Sequence, residues 1–391
     1  MLIKLFFRIW PGISTKNILG FAIPTKLVKR GKADVVVRKT TGKVLVGRGA
    51  YGRQSWNGQT ATVFGCSGFL GRYVVARLAR EGTKVIVPYR GITENIRYLK
   101  PTGDLGMIIP MEFDLRNPKQ IEECVRHSDV VINLIGRNYE TKNFSFDQVH
   151  VLGAQNIAEI SRESGVSRLI HMSHIGAKTN AHSDVMVTKA FGEQRVRESF
   201  PGANIVRSAT MYGYEDELLN NMGKFKDFYM TVNHAQQKLR PVCVSDVAHA
   251  IDIIRDNEDT VGQTFELYNP KEYTRKEVIE LVEFFIREKV WHFNIPTPLL
   301  RMAARAFDIL PYYYTSHHAV DLMSINETPS TEKSIQTFAD LGIQPHTLEL
   351  AALQYIRHYR SSQHEEDPME PKGYKAFRKL PVPVDNKDIV V

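Results

Sequence analysis

Between Thr60 and Ala209 the chain repeats one pattern: a short apolar run, turn residues, then a segment with helical periodicity. The runs TATVF (60–64), KVIVP (84–88), MIIPM (107–111), DVVINLIG (129–136), SRLIHMS (167–173) and NIVRSA (204–209) are read as strands. FLGRYVVARLAREG (69–82) puts Leu70, Val74 and Leu78 on one helical face, with Gly82 suited to the helix end. FDQVHVLGAQNIAEISRESG (146–165) and SDVMVTKAFGEQRV (183–196) read as further helices. Apolar strands alternating with helices predict an α/β fold, a doubly wound parallel sheet covered on both faces.

After about Thr264 the texture changes to amphipathic helices: RKEVIELVEFFIREKV (275–290), IPTPLLRMAARAFDIL (295–310) and TLELAALQYIRHYR (347–360). The second of these sets Leu299, Leu300, Ala303 and Phe307 on one side, with Arg301 and Arg305 elsewhere. Packing on the main domain is the expectation for that apolar side, and a membrane surface the alternative. The expected layout is a leading segment at 1–36, an extended arm at 37–58, the main α/β domain at 59–264, a smaller, mostly helical C-terminal domain at 265–360 and an extended tail at 361–391.

Composition changes this picture little. Hydrophobic residues make up 43% and charged residues 24% of 391, as in ordinary globular proteins. No run of about 18 apolar residues occurs, so no segment reads as a membrane span. Cys66, Cys124 and Cys243 form neither a CxxC nor a metal-ligand spacing. His317 and His318 lack spaced partners, so no metal site is expected. The net charge of +8 is concentrated in residues 1–33, which carry seven basic residues and no acid. That acid-free, amphipathic start fits a mitochondrial import segment. The rest is near neutral, which argues against a nucleic-acid partner.

The chemistry begins at ATVFGCSGFLGRYVV, where Gly65, Gly68 and Gly71 stand between a strand and a helix. In such a loop the first glycine permits the tight turn, the second lets backbone approach a pyrophosphate, and the third lets the helix pack close. The helix N-terminus adds free N–H groups and a partial positive charge. Gly65, Ser67, Gly68, Phe69, Leu70 and Gly71 are therefore candidate dinucleotide ligands of a Rossmann fold. The second strand ends at Arg90, 19 residues after Gly71, with no acid nearby. A guanidinium there suits a 2′-phosphate, so NADP(H) is preferred to NAD(H). Asp114 and Leu115, after the third strand, are placed beside the adenine. Leu134, Ile135 and Gly136, after the fourth, lie along the cofactor's path.

With these residues in view, the loop, FDLR (113–116), NLIG (133–136), IHMSHIGA (170–177) and IVRSATMYG (205–213) resemble the extended or atypical short-chain dehydrogenase/reductase superfamily. GRGAYGRQSWNGQTATVFGCSGFLGRYVVARL, VIVPYRG, VVINLIGRNYETKNF and the late LGIQPHTLELAALQYIRHYR are more specifically similar to a family of NADPH-binding accessory subunits of mitochondrial respiratory complex I. The similarity spans about residues 47–360. It implies tightly held NADPH, partnership with other complex I subunits, and a peripheral place on the matrix side of the inner membrane.

Active superfamily members use a tyrosine as proton donor, a lysine four residues later, and a serine on the preceding strand. The resemblance maps the serine to Ser173 and the lysine to Lys189, but Val185 occupies the tyrosine's position. Valine cannot transfer a proton. Tyr139 and Tyr212 lie on other segments, and His171, His174 and His182 are the remaining nearby titratable groups. The expectation is a subunit that is not an enzyme, in which Ser173 and Lys189 line the nicotinamide half. An active NADPH-dependent reductase or epimerase and an RNA-binding relative are the alternatives.

Overall fold

The computed structural model describes residues 56–307, 316–330, 332 and 334–360, together with the backbone of a short antiparallel pair, Val35–Val37 with Val44–Val46. That pair falls across the start of the expected arm. Residues 1–34 of the expected import segment and the C-terminal tail lie outside the described residues.

Seven parallel strands form the central sheet. In chain order they are β1 (Thr60–Phe64), β2 (Lys84–Tyr89), β3 (Ile108–Glu112), β4 (Val130–Asn133), β5 (Arg168–His174), β6 (Asn204–Ser208) and β7 (Thr264–Leu267). Across the sheet the order is β7-β6-β5-β4-β1-β2-β3, so the direction of winding reverses between β1 and β4. The last strand straddles the boundary expected at residue 264.

Both faces are covered, as the nearly unbroken apolar strands require. On one face α1 (Phe69–Arg80) packs through Leu70, Val74 and Leu78. The other face takes α2 (Pro118–Val125), α3 (Gly153–Glu163) and α4 (Asp184–Ser199). α5 (Leu218–Lys224) follows β6, and α6 (Val244–Asp256) joins α1 on the first face through Val247, Ile251 and Ile254. Gly82, with φ +74°, ends α1: its N–H donates to the Ala79 carbonyl and that of Thr83 to the Leu78 carbonyl. This is the left-handed helix stop that glycine tolerates best.

The segment expected to run as one helix from Phe146 instead begins with a π-helical turn, Asp147–Leu152, before α3. The reason lies opposite, in α4. A Cβ at Gly192 would sit 2.2 Å from the His150 carbonyl oxygen, so the two backbones nearly touch. Gly153 is similarly pressed by the Leu115 side chain, 2.6 Å from where a Cβ would stand.

The remaining helices are α7 (Arg275–Ile286), α8 (Thr297–Phe307), α9 (His317–Ser324) and α10 (Leu348–Ile356). Thr274 opens α7 with a reciprocal capping box to Glu277. α7 and α10 share a second core with α5, which the chain supplies from between β6 and β7. The late chain also returns to the sheet: Gln336 bridges Phe265, and Phe338 and Ile343 join the first core. On α8 the buried positions are Leu300 and Ala304, packed with Val232 and Val320, while Leu299 and Met302 are exposed. The inward stripe is thus turned from the one expected; the Phe307 side chain lies outside the described residues. Among the described residues no helix is long and apolar enough to cross a membrane.

Candidate functional site

Where the winding reverses, the loops after β1 and β4 diverge at the carboxyl ends of the strands. That crevice is where open α/β sheets take ligands. Its glycines are shaped by contacts. Gly65 has φ +81°, and a Cβ there would come within 3.0 Å of the Leu134 carbonyl group. The Gly68 N–H donates to the Gly65 carbonyl at 3.0 Å, tightening the turn. At Gly71 a Cβ would lie 2.3 Å from the Gly65 oxygen, so any side chain would force the helix off the loop.

α1 begins at this loop without a side-chain cap and without an acid in its first turn. Its N-terminal dipole is left for an anion. Ser67 and Gly68 are exposed, and Phe69 half-buried. Leu70 is buried in the core, so its part at this end is carried by backbone. The Tyr98 hydroxyl donates to the Ser67 carbonyl at 3.2 Å, and Arg72 lies 4.4 Å above the Tyr98 ring. Cys66 points away, its thiol 3.2 Å from the Pro88 carbonyl and pushed up to about 12 by burial.

Arg90 is exposed at the end of β2 and lies 5.3 Å from the Phe144 ring centroid. Arg116 lies 4.7 Å from the same centroid and binds Asp114. Leu115 is buried against Gly153, while Leu134 and Ile135 are half-buried and Gly136 exposed. This end of the crevice is open, cationic and lined by backbone.

The other end is closed. Ser173, on β5, is buried, and its Oγ has no hydrogen-bond partner. On α4, Val185 is completely buried and Lys189 half-buried. No described residue gives the Lys189 amine a hydrogen bond or ion pair. Burial pulls it down to about 8, against the opposing pull of Glu193.

Three neutral histidines surround this lysine. The Arg137 N–H donates to His150 Nε2 at 3.1 Å, so the proton of His150 is on Nδ1, 3.0 Å from the Thr188 hydroxyl. That hydroxyl donates in turn to the Asp184 or Val185 carbonyl. Asn133 donates to His171 Nδ1 at 3.2 Å, and the Gly176 N–H to His174 Nδ1 at 3.0 Å. His174 thereby turns Nε2 toward Glu327, 3.6 Å away. Burial first, then the Lys189 charge, brings His150 and His174 down to about 3 and His171 to about 4. His182 is exposed. Tyr212 is buried in the second core with its hydroxyl on the His346 carbonyl, and Tyr139 is an exposed loop residue beside Arg137.

The arrangement fits a dinucleotide: a loop with no room for a side chain at Gly65 or Gly71, an uncapped helix N-terminus, an open guanidinium, and an unpartnered serine and lysine. Two concavities lie elsewhere. One of about 520 Å³ is at the amino ends of β1–β3, and one of about 340 Å³ lies between Phe146, α4 and His318. Among the described residues, the one acidic trio close enough to share a cation is Glu81, Asp252 and Asp256, and the Arg255 guanidinium is already ion-paired with all three. His150, Arg116 and Phe144 were not singled out from the sequence. The glycine at 192, inside a helix, is the one sequence signal that backbones meet at His150.

Comparison with known proteins agrees with this geometry. Residues 61–267 match the NAD dependent epimerase/dehydratase family. The chain is 42% identical over 367 residues to the mitochondrial NADH-ubiquinone oxidoreductase 40 kDa subunit of Neurospora crassa, covering 92% of this chain and 93% of that one. It is 36% identical over 322 residues to mitochondrial NADH dehydrogenase (ubiquinone) 1 alpha subcomplex subunit 9 of Rattus norvegicus, covering 81% and 85%. Among solved structures, the UDP-glucuronic acid 4-epimerase of Bacillus cereus, in complex with NAD, aligns with a TM-score of 0.53 at 16% identity over 68% of this chain and 95% of that one. At that identity the likeness concerns fold.

Proposed function

The chain belongs to the family of mitochondrial NADH:ubiquinone oxidoreductase subunits built on the NAD dependent epimerase/dehydratase fold, and we propose that it serves there as an accessory subunit that holds NADPH without turning it over. The observation that carries this reading is Val185. It stands one helical turn before Lys189, fully buried, where a proton donor is needed. The glycine loop remains shaped for a pyrophosphate.

When bound, NADPH supplies a hydride donor. The residues here bind and orient. Backbone at Gly65–Gly71 and the N-terminus of α1 take the pyrophosphate. Arg90 takes the 2′-phosphate, and Leu134–Gly136 flank the chain of the cofactor. Lys189 bonds the nicotinamide ribose, a role that does not require a neighbouring tyrosine. Ser173 faces the same end. The place of the tyrosine is filled by Val185, which has no proton to hand to a carbonyl.

A ligand that binds only the folded form stabilises it by mass action, by about 2.7 kcal/mol at a concentration 100 times its Kd. Bound NADPH would in this way couple folding to assembly of the complex on the matrix side of the inner membrane. Arg90→Glu is expected to lower the abundance of subunit and complex without altering electron transfer in complexes that form. Fully assembled complex lacking nucleotide would contradict the assembly role.

A second reading, an active NADPH-dependent reductase or epimerase, draws on the lowered Lys189 amine and the adjacent His150. Screening carbonyl and nucleotide-sugar substrates decides between them: turnover abolished by Lys189→Ala supports the enzyme.

A further inference from the structure

We infer that Arg116, sharing the Phe144 ring with Arg90, is a second guanidinium that selects the 2′-phosphate of the dinucleotide. The inference rests on the nucleotide reading above and names a residue that reading does not contain.

Phe144 is the support. Its backbone N–H donates to the Thr141 carbonyl at 3.2 Å and its carbonyl accepts from the Thr141 N–H at 3.0 Å, a closed turn after β4. The ring is 6% exposed and packs into the core formed with α2 and α3. It is therefore a fixed surface, and each guanidinium lies within cation–π range of it: Arg90 at 5.3 Å and Arg116 at 4.7 Å from the centroid. Guanidinium groups are suited to charge-assisted bonds with phosphate, and these two are held against one ring.

The acid beside Arg116 explains why a second cation is needed. Asp114 follows β3 in a position where a free carboxylate would repel a phosphate. It is not free. Arg116 donates to it from Nε at 3.3 Å, from Nη2 at 3.2 Å and from its backbone N–H at 2.9 Å. These bonds, foremost the side-chain ones, hold the Asp114 carboxyl below its usual range, and Arg90 adds to the effect. Arg116 thus does two things: it neutralises the nearby acid, and it keeps remaining donors on an exposed side chain (61% accessible) facing solvent. Lysine at 116 would keep the charge but lose the planar fork that serves both partners.

The test titrates nucleotide-stripped full-length chain with NADPH and with NADH. The wild type is expected to bind NADPH more tightly. Arg116→Gln is expected to weaken NADPH about tenfold or more, a loss typical of a charge-assisted contact, while NADH changes less than about twofold. Arg116→Lys should fall between. Because the side chain is mostly exposed, melting of the ligand-free variants should match the wild type, which separates a binding defect from a folding one. An unchanged NADPH/NADH ratio in Arg116→Gln, with a collapsed ratio in Arg90→Gln, would overturn the role of Arg116 alone. A wild type that binds both nucleotides equally overturns the 2′-phosphate reading and this inference with it. No binding of either overturns the nucleotide site itself.

Discussion

The two ends of the crevice obey different rules. At the glycine-loop end the uncapped start of α1, Ser67, and the guanidinium groups of Arg90 and Arg116 face outward. At the Lys189 end the polar groups are turned inward. His150, His171 and His174 are fixed in neutral tautomers, and Ser173 and Val185 are buried. A working reductase needs both ends open to their ligands. Here only the glycine-loop end has the open form, which is why we propose a subunit that keeps a nucleotide but lacks the donor for proton transfer.

The largest expected effect of a single substitution breaks the glycine-loop end. Gly71→Val places side-chain carbon on the Gly65 carbonyl, 2.3 Å away for the Cβ alone. Forced overpacking against backbone should cost roughly 4 kcal/mol and lower the melting temperature by roughly 8–16 °C. Nucleotide retention should vanish. Thermal melts and chromatography of released nucleotide check both.

Acidification tests the closed end. His150 and His174 titrate near pH 3 and His171 near pH 4, all below the ordinary 6.5. Between those values the unfolded chain takes up more protons than the folded one, so stability is full above about pH 6.5 and lost as pH falls. Roughly 2 kcal/mol per histidine, on the order of 6 kcal/mol for the three, should disappear between pH 7 and pH 5. His171→Asn, measured by denaturant titration at both values, should shrink that difference.

Smaller effects separate the two ends. Arg90→Gln should weaken NADPH about tenfold and leave NADH nearly unchanged, because only the 2′-phosphate is lost. Lys189→Ala should weaken both nucleotides alike, about fivefold, as loss of one ribose hydrogen bond implies. Parallel calorimetric titrations distinguish the patterns. If Lys189→Ala leaves both affinities unchanged, the lysine is not on the ribose. The smallest expected effect is none: Val185→Tyr should not create turnover. The position is fully buried, and a tyrosine would overpack it by about 1–3 kcal/mol before its hydroxyl reached any substrate.

Much of this was legible in the sequence because strand and helix periods are local. The strands from Thr60 to Ser208, the glycine loop and the helix carrying Lys189 all follow from residue order. What was not legible depends on pairs far apart in the chain. The π-helical turn at His150 arises where Gly192 lets α4 approach. Asp114, placed beside the adenine by its position, is already bonded to Arg116. Leu70 and Leu115 sit at cofactor positions in the sequence, yet their side chains serve the core. Glu327, in the late chain, reaches β6's exit to accept from Thr210 and face His174. No period or motif signals such a contact.

The most direct measurement joins both ends in one sample. Full-length protein is purified, its bound nucleotide is identified and counted, and NADPH oxidation is followed over a panel of carbonyl substrates. The account predicts about one NADPH per chain and no oxidation above background. Steady NADPH oxidation that disappears in Lys189→Ala would contradict it.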